Sequence, residues 1–261
     1  KAGSTTEPNM FYAYFRNLVE KAVGPDRAGQ HFVAVTDPGT TLEKMAKDQG
    51  FRRVFANPAD IGGRYSVLSY FGLVPAALVG LDLVKLIDRA DGIRRSCAPD
   101  VLVHENPGAW LGAVMGGLAL QGRDKLTLVS SPSINSFGLW AEQLLAESTG
   151  KEGKGIVPIA NEPLISPEHY GNDRLFIYLR LKGDDNEGTD AALPDLEDAG
   201  HPVVRLDLRD KYDIGAEFFR WEMATAVAGS ILGINPFDQP NVQAAKDMTE
   251  SVLGQFESSG E

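Results

Sequence analysis

Lys125-Leu-Thr-Leu-Val-Ser130 and Ile156-Val-Pro-Ile159 are short apolar runs, and Phe137 to Ala146 between them puts Trp140, Leu144 and Leu145 on one side of a helix. A strand, a helix-period segment and a second strand predict a crossover unit, which requires a parallel sheet. Downstream the alternation continues with strand Arg174–Leu181, helix Asp190–Ala199, strand Pro202–Leu208 and a long helix Ile214–Leu232. Upstream, Pro8–Val23 has apolar residues at helical spacing (Phe11, Tyr12, Phe15, Leu18, Val19, Ala22). It is followed by strand His31–Thr36, helix Thr41–Gln49, strand Phe51–Ala56 and an apolar helical stretch from Leu68 to Leu86, which reads as core or interface, core being the favoured reading. The helix Asn106–Gln121 carries Ala109, Gly112, Ala113, Gly116 and Gly117, small enough for close approach of a neighbour. The pattern predicts an α/β fold of doubly wound parallel sheets in two domains, residues 1–97 and 98–261, joined through Arg94–Asp100. In such sheets ligands sit at the carboxyl ends of strands, where the loop Gly62-Gly63-Arg64 falls. Residues 183–190 read as a solvated acidic loop.

Composition removes several classes of function. The 261 residues have 43% hydrophobic content and a net charge of −11, enough for a sizeable core but with no basic stripe for nucleic acid. A phosphorylated ligand would have to be held locally, by backbone amides and helix N-termini. Cys97 is the sole cysteine, so there is no disulfide framework, which fits a reducing cytoplasm. No run reaches the roughly 18–20 apolar residues of a membrane span. No His, Asp or Glu cluster has metal-ligand spacing, and no Gly-x-Gly-x-x-Gly is present, so neither metal nor cofactor is expected.

Two stretches carry candidate chemistry. In Ala146-Glu-Ser-Thr-Gly-Lys-Glu-Gly-Lys154, Glu147 stands at a helix C-terminus, where the dipole and partial burial both disfavour a charged carboxylate and suit a general base. A solvated glutamate on a helix end is the plainer reading of that motif alone. Lys1-Ala-Gly-Ser-Thr-Thr-Glu-Pro8 offers N–H groups and hydroxyls at a helix start, as a phosphate loop or as an ordinary N-cap.

Four segments in one order resemble the glucose-6-phosphate isomerase family: Lys1-Ala-Gly-Ser-Thr-Thr-Glu7, Gly62-Gly-Arg-Tyr-Ser66, Glu147-Ser-Thr-Gly-Lys151, and Asn235-Pro-Phe-Asp-Gln-Pro-Asn-Val242 running on to Lys246. The resemblance implies two sugar-isomerase-type domains and interconversion of glucose 6-phosphate and fructose 6-phosphate through a cis-enediol. By motif position it makes Glu147 the base, Arg64 the cation that stabilises the enediolate, and Lys246 a helper in ring opening. His169 lies in the interval where the family's ring-opening histidine falls, while His31, His104 and His201 read as structural. Lys1, Gly3, Ser4, Thr5 and Gly63 would hold the substrate, with Gln143 and Gln239 at polar contact positions. It also implies a homodimer. Pro163–Leu181, with Tyr170-Gly-Asn-Asp-Arg-Leu-Phe176, and Glu217-Phe-Phe-Arg-Trp221 look like isomerase domains fused behind a transaldolase. The family's first strands lie upstream of its phosphate loop, so the first domain is expected to lack its start and a further segment of the same protein to complete it. Without that segment, an apolar face and a sheet edge would be exposed. Two other functions fit the same residues: a sugar-phosphate sensor or inactive fragment, and a mannose-6-phosphate isomerase.

Overall fold

The computed structural model describes residues 3 and 5–259, apart from the side chains of 241–244, 246, 247, 250 and 257. The chain is a mixed α/β protein with parallel sheets, as its alternation requires. By internal contacts it divides into Lys1–Asp88 and Arg89–Glu261, and the division falls inside one helix.

In the first unit, α1 (Thr6–Val23) and the short α2 (Pro25–Ala28) precede β1 (Val33–Thr36), α3 (Thr41–Asp48) and β2 (Arg53–Ala56). β1 and β2 pair in parallel, Val33 opposite Arg53 through Thr36 opposite Ala56. Tyr12 of α1 packs its ring against Phe32 and Phe51, at centroid distances of 5.3 and 5.5 Å. The helix nevertheless buries no residue completely, and Met10, Phe11, Tyr14 and Phe15 are more than half exposed. His31 closes a short turn, Gly29–His31, instead of opening the strand.

The stretch Leu68–Leu86 is not one core helix. It forms α4 (Tyr70–Leu78) and the start of α5 (Leu83–Ser96), because Gly80 at φ +86° stops the first helix just past its end. Leu78, Val79 and Val84 are each over 70% exposed, so most of this apolar surface is not core. Residues 94–96, read as linker, are helical.

The second unit continues with α6 (Pro107–Leu120), β3 (Lys125–Ser130), α7 (Ser136–Thr149), β4 (Val157–Ala160), β5 (Arg174–Leu181), α8 (Glu187–Asp198), β6 (Val203–Leu208), α9 (Ile214–Leu232) and α10 (Pro240–Ser259). Its four-stranded parallel sheet has the order β4-β3-β5-β6. Central β5 is apolar on both faces and is buried from Leu175 to Leu179. Alternation sends Phe176 and Tyr178 toward Leu193 and Leu196 of α8, and Leu175, Ile177 and Leu179 to the opposite face. His201 packs edge-on against Tyr170 and Phe176, a structural place.

Helix α9 brings polar groups inside. Glu217 is 3% exposed beside Arg220 (3.4 Å), and Trp221 is fully buried. Burial pushes the Glu222 carboxyl up to about 8. The folded protein therefore keeps this proton at pH values where the unfolded chain has released it, and stability falls as pH rises from about 4.5 through 8. Glu222→Gln is expected to be more stable than the parent at pH 8.5 by about 1–3 kcal/mol, with the gap closing toward pH 5. Thermal scans across that range check it; a gap independent of pH would remove Glu222 as its source.

Candidate functional site

In the second unit Glu147 lies half-buried in the last turn of α7, and Gln143, one turn earlier, donates from Nε2 to its Oε1 at 3.2 Å. The helix runs past the expected end at Ala146. The Thr149 hydroxyl donates to the Leu145 carbonyl at 2.8 Å and accepts from the Ile156 N–H at 2.8 Å, which joins the last turn to the approach to β4. Glu147 is therefore carried by helix, with Ser148 and Thr149 after it fully buried.

The next residues form a tight turn. Lys151 and Lys154 exchange both backbone hydrogen bonds (3.1 and 2.8 Å), with Glu152 at φ +54° and Gly153 at φ +72° between them. Two positive φ values in a two-residue connection make a type I′ turn, which glycine at its second position favours. Gly150, just before this turn, has an ordinary φ of −71°; a side chain there would meet the Ala146 carbonyl at 2.8 Å.

Side chains of a hydrogen-bonded pair project to one face. Both lysines accordingly reach the chain that leaves α9. Lys154 donates to the Leu232 carbonyl at 2.9 Å, one of the carbonyls the helix end leaves without an intrahelical partner. Lys151, 8% exposed, gives its ammonium to the carbonyls of Asn235 and Asp238 (2.6 Å to the latter) and to the Asp238 carboxylate. All three N–H donors are thus satisfied, as burying a cation demands. Gln239, the next residue, is exposed. Lys246 lies on α10, but its side chain is outside the described residues.

An open cleft of about 740 Å³ adjoins this corner, lined by Ala119, Asp124, Glu142, Ala146, Lys154 and Val157. It lies where the strands begin. At the opposite edge, the carboxyl ends of β3 and β5 are closed by hydrogen bonds between Ser131 and Asn186 (2.6 Å) and between the Ser133 N–H and Asp184 (2.9 Å). The acidic stretch 183–190 is a solvated loop only in part: Gly183, Asp185, Glu187 and Gly188 are exposed, but Asn186 is buried under Tyr178, and α8 begins at Glu187. His169 ends the short turn Pro167–His169 on the surface, its Nδ1 3.9 Å from Glu168.

In the first unit, buried Thr36 and Asn57 end the two strands, and the Asn57 N–H donates to the Thr36 carbonyl at 2.8 Å. Beyond them Gly63–Tyr65 forms a helical turn closed by Ser66, whose hydroxyl donates to the Gly63 carbonyl at 2.6 Å. Gly63 is exposed, while Arg64 is 7% exposed with its guanidinium carbon 5.8 Å from the Tyr65 ring centroid. At the start of α1, Gly3 has φ +79°, and a side chain there would come within 2.7 Å of Leu42. Asn9 donates to the Gly3 carbonyl at 3.0 Å, and Thr5 sits at the helix N-cap with no capping bond from its side chain. These residues border a cavity of about 200 Å³ that reaches Tyr12, Val33 and Leu42. Lys1 and Ser4 lie outside the described residues. Among the described residues no group of three His, Cys, Asp or Glu gathers to hold a metal, and no helix is long and apolar enough to cross a membrane.

Sequence reasoning passed over Lys151, Lys154 and Thr149. The signal for the lysines was present: Glu-Gly between them is turn chemistry that aligns the two flanking side chains.

No family model matches the chain. Among curated proteins, glucose-6-phosphate isomerases of Streptococcus pyogenes serotype M18 (strain MGAS8232) and serotype M28 (strain MGAS6180) are each 31% identical over 291 residues, covering 97% of this chain and 65% of theirs. The chain thus spans 65% of the length of these relatives. Among solved structures, a hypothetical protein from Thermus thermophilus shares the fold with a TM-score of 0.83 at 24% identity, over 97% of this chain and 70% of that one. A glucose-6-phosphate isomerase from Chlamydia trachomatis superposes with a TM-score of 0.76 at 21% identity, over 98% of this chain and 58% of that one.

Proposed function

Because the chain belongs to the glucose-6-phosphate isomerase family, we propose that it serves an aldose–ketose isomerase acting on glucose 6-phosphate and fructose 6-phosphate. Glu147 moves a proton between C2 and C1 of the opened sugar through a cis-enediol. The observation that carries this is the carboxylate itself: it is half-buried, held by helix on both sides and oriented by the Gln143 amide. Arg64 supplies a fixed cation for the enediolate oxygens. Lys246 and His169 serve ring opening, and Gln239 and Gly63 contact the sugar. Lys1, Gly3, Ser4 and Thr5 hold the phosphate at the start of α1, supported by the Thr5 side chain not being spent on a cap. The chemistry is proton transfer and needs no cofactor. The same reading makes the protein a cytoplasmic homodimer behind a transaldolase. It also places a further segment of the same protein against the first unit, in keeping with the exposed Met10, Phe11, Tyr14 and Phe15.

Incubation with fructose 6-phosphate in deuterium oxide tests the reaction. Formation of glucose 6-phosphate, with deuterium at C2 where a carboxylate exchanges its proton with solvent, is expected. Formation of mannose 6-phosphate instead would reassign the epimer, and sugar-phosphate binding without conversion would leave a sensor.

A further inference from the structure

Resting on that reading, we propose that Lys151 is a positioning residue that locks the segment carrying Gln239, and the start of the helix bearing Lys246, onto the end of the helix bearing Glu147. Its position dictates the coupling. Lys151 follows Glu147 by one helical turn's worth of residues, across a chain pinned by the buried Thr149 and the Lys151–Lys154 turn. Its ammonium is buried and reaches the carbonyls at both ends of Asn235–Asp238 as well as the Asp238 carboxylate. Gln239 and Pro240, the first residue of α10, follow directly. Lys154 holds the preceding point, the Leu232 carbonyl at the end of α9. Between Leu232 and Pro240 the chain is thus fastened to the Glu147 corner at three points, Leu232, Asn235 and Asp238. A flexible lysine stem with three convergent donors suits this; arginine's planar fork does not. Displacing a catalytic contact by about 1 Å costs on the order of 10²-fold in rate, so the fastening acts on turnover more than on phosphate binding.

The test compares the full-length protein with Lys151→Met, Asp238→Asn, Gln239→Ala and the double variant Lys151→Met/Gln239→Ala, at a temperature where circular dichroism shows each folded. Lys151→Met is expected to lower kcat roughly 10–100-fold, with KM changing less than about threefold. Asp238→Asn leaves the two carbonyl contacts in place and should give a smaller fall in the same direction, which keeps the test open if Lys151→Met does not fold. Amide exchange is expected to rise in peptides covering residues 233–246 and to stay level in β5. The double variant should lose no more than its worse single parent, because both changes remove one contact. Additive losses, or unchanged kcat with a lowered melting temperature alone, would make Lys151 a mere structural staple and overturn the proposal. An inactive parent overturns the function and this role together. An active parent with unchanged kcat in both Lys151→Met and Asp238→Asn overturns this role alone.

Discussion

Glu147→Gln is expected to lower kcat for the isomerisation by about 10²–10⁴-fold while KM changes by less than about threefold. The substitution is close to isosteric, and its amide oxygen can still accept from Gln143, so the α7 turn keeps its shape. Binding of the phosphate is assigned to the start of α1, far along the chain from this change, and should persist. What is lost is the ability to take a proton from carbon. A carboxamide cannot do this, and the loss appears in kcat and kcat/KM together, the signature of an interaction made in the transition state. Steady-state kinetics in a coupled assay check it, alongside loss of deuterium incorporation at C2. Activity within threefold of the parent would remove Glu147 from the reaction and leave a bystander on a helix end.

That corner was partly legible beforehand. The parallel order of β3 and β4 follows from two apolar runs around one helix-period segment, and the sequence placed both strands within a residue or so. The position of Glu147 relative to the helix end was less legible. Apolar periodicity runs out at Ala146, whereas the helix continues to Thr149, whose hydroxyl serves Leu145 and Ile156 at once. Tertiary contacts of this sort leave no periodic trace. The same holds for Lys151: as a single letter it is a solvated cation, and only folding brings three acceptors around it. Leu68–Leu86 shows the converse failure. Its composition says buried helix, yet one left-handed glycine splits it, and Leu78, Val79 and Val84 remain on the surface. Apolar content states what a segment would bury, not whether a partner is at hand.

Helix α6 turns a similar ambiguity into a measurable contrast. Its glycines looked alike in sequence, but spacing by four sends Gly108, Gly112 and Gly116 along the face that α9 covers, and Gly117 away from it. A Cβ on Gly112 would stand 2.5 Å from the Ala224 carbonyl oxygen and 2.6 Å from the Val227 Cβ, so the helices would have to move apart. Around Gly117 nothing lies within 4 Å. Gly112→Ala is therefore expected to destabilise the second unit by about 2–3 kcal/mol, overpacking outweighing the gain in helix propensity. Gly117→Ala should stabilise it by roughly 0.5–1 kcal/mol, because there the propensity gain stands alone. Urea midpoints at constant m-value measure both in the same helix, one residue type exchanged for one other. Equal shifts for the two substitutions would mean that α6 and α9 do not approach as closely as their glycines require.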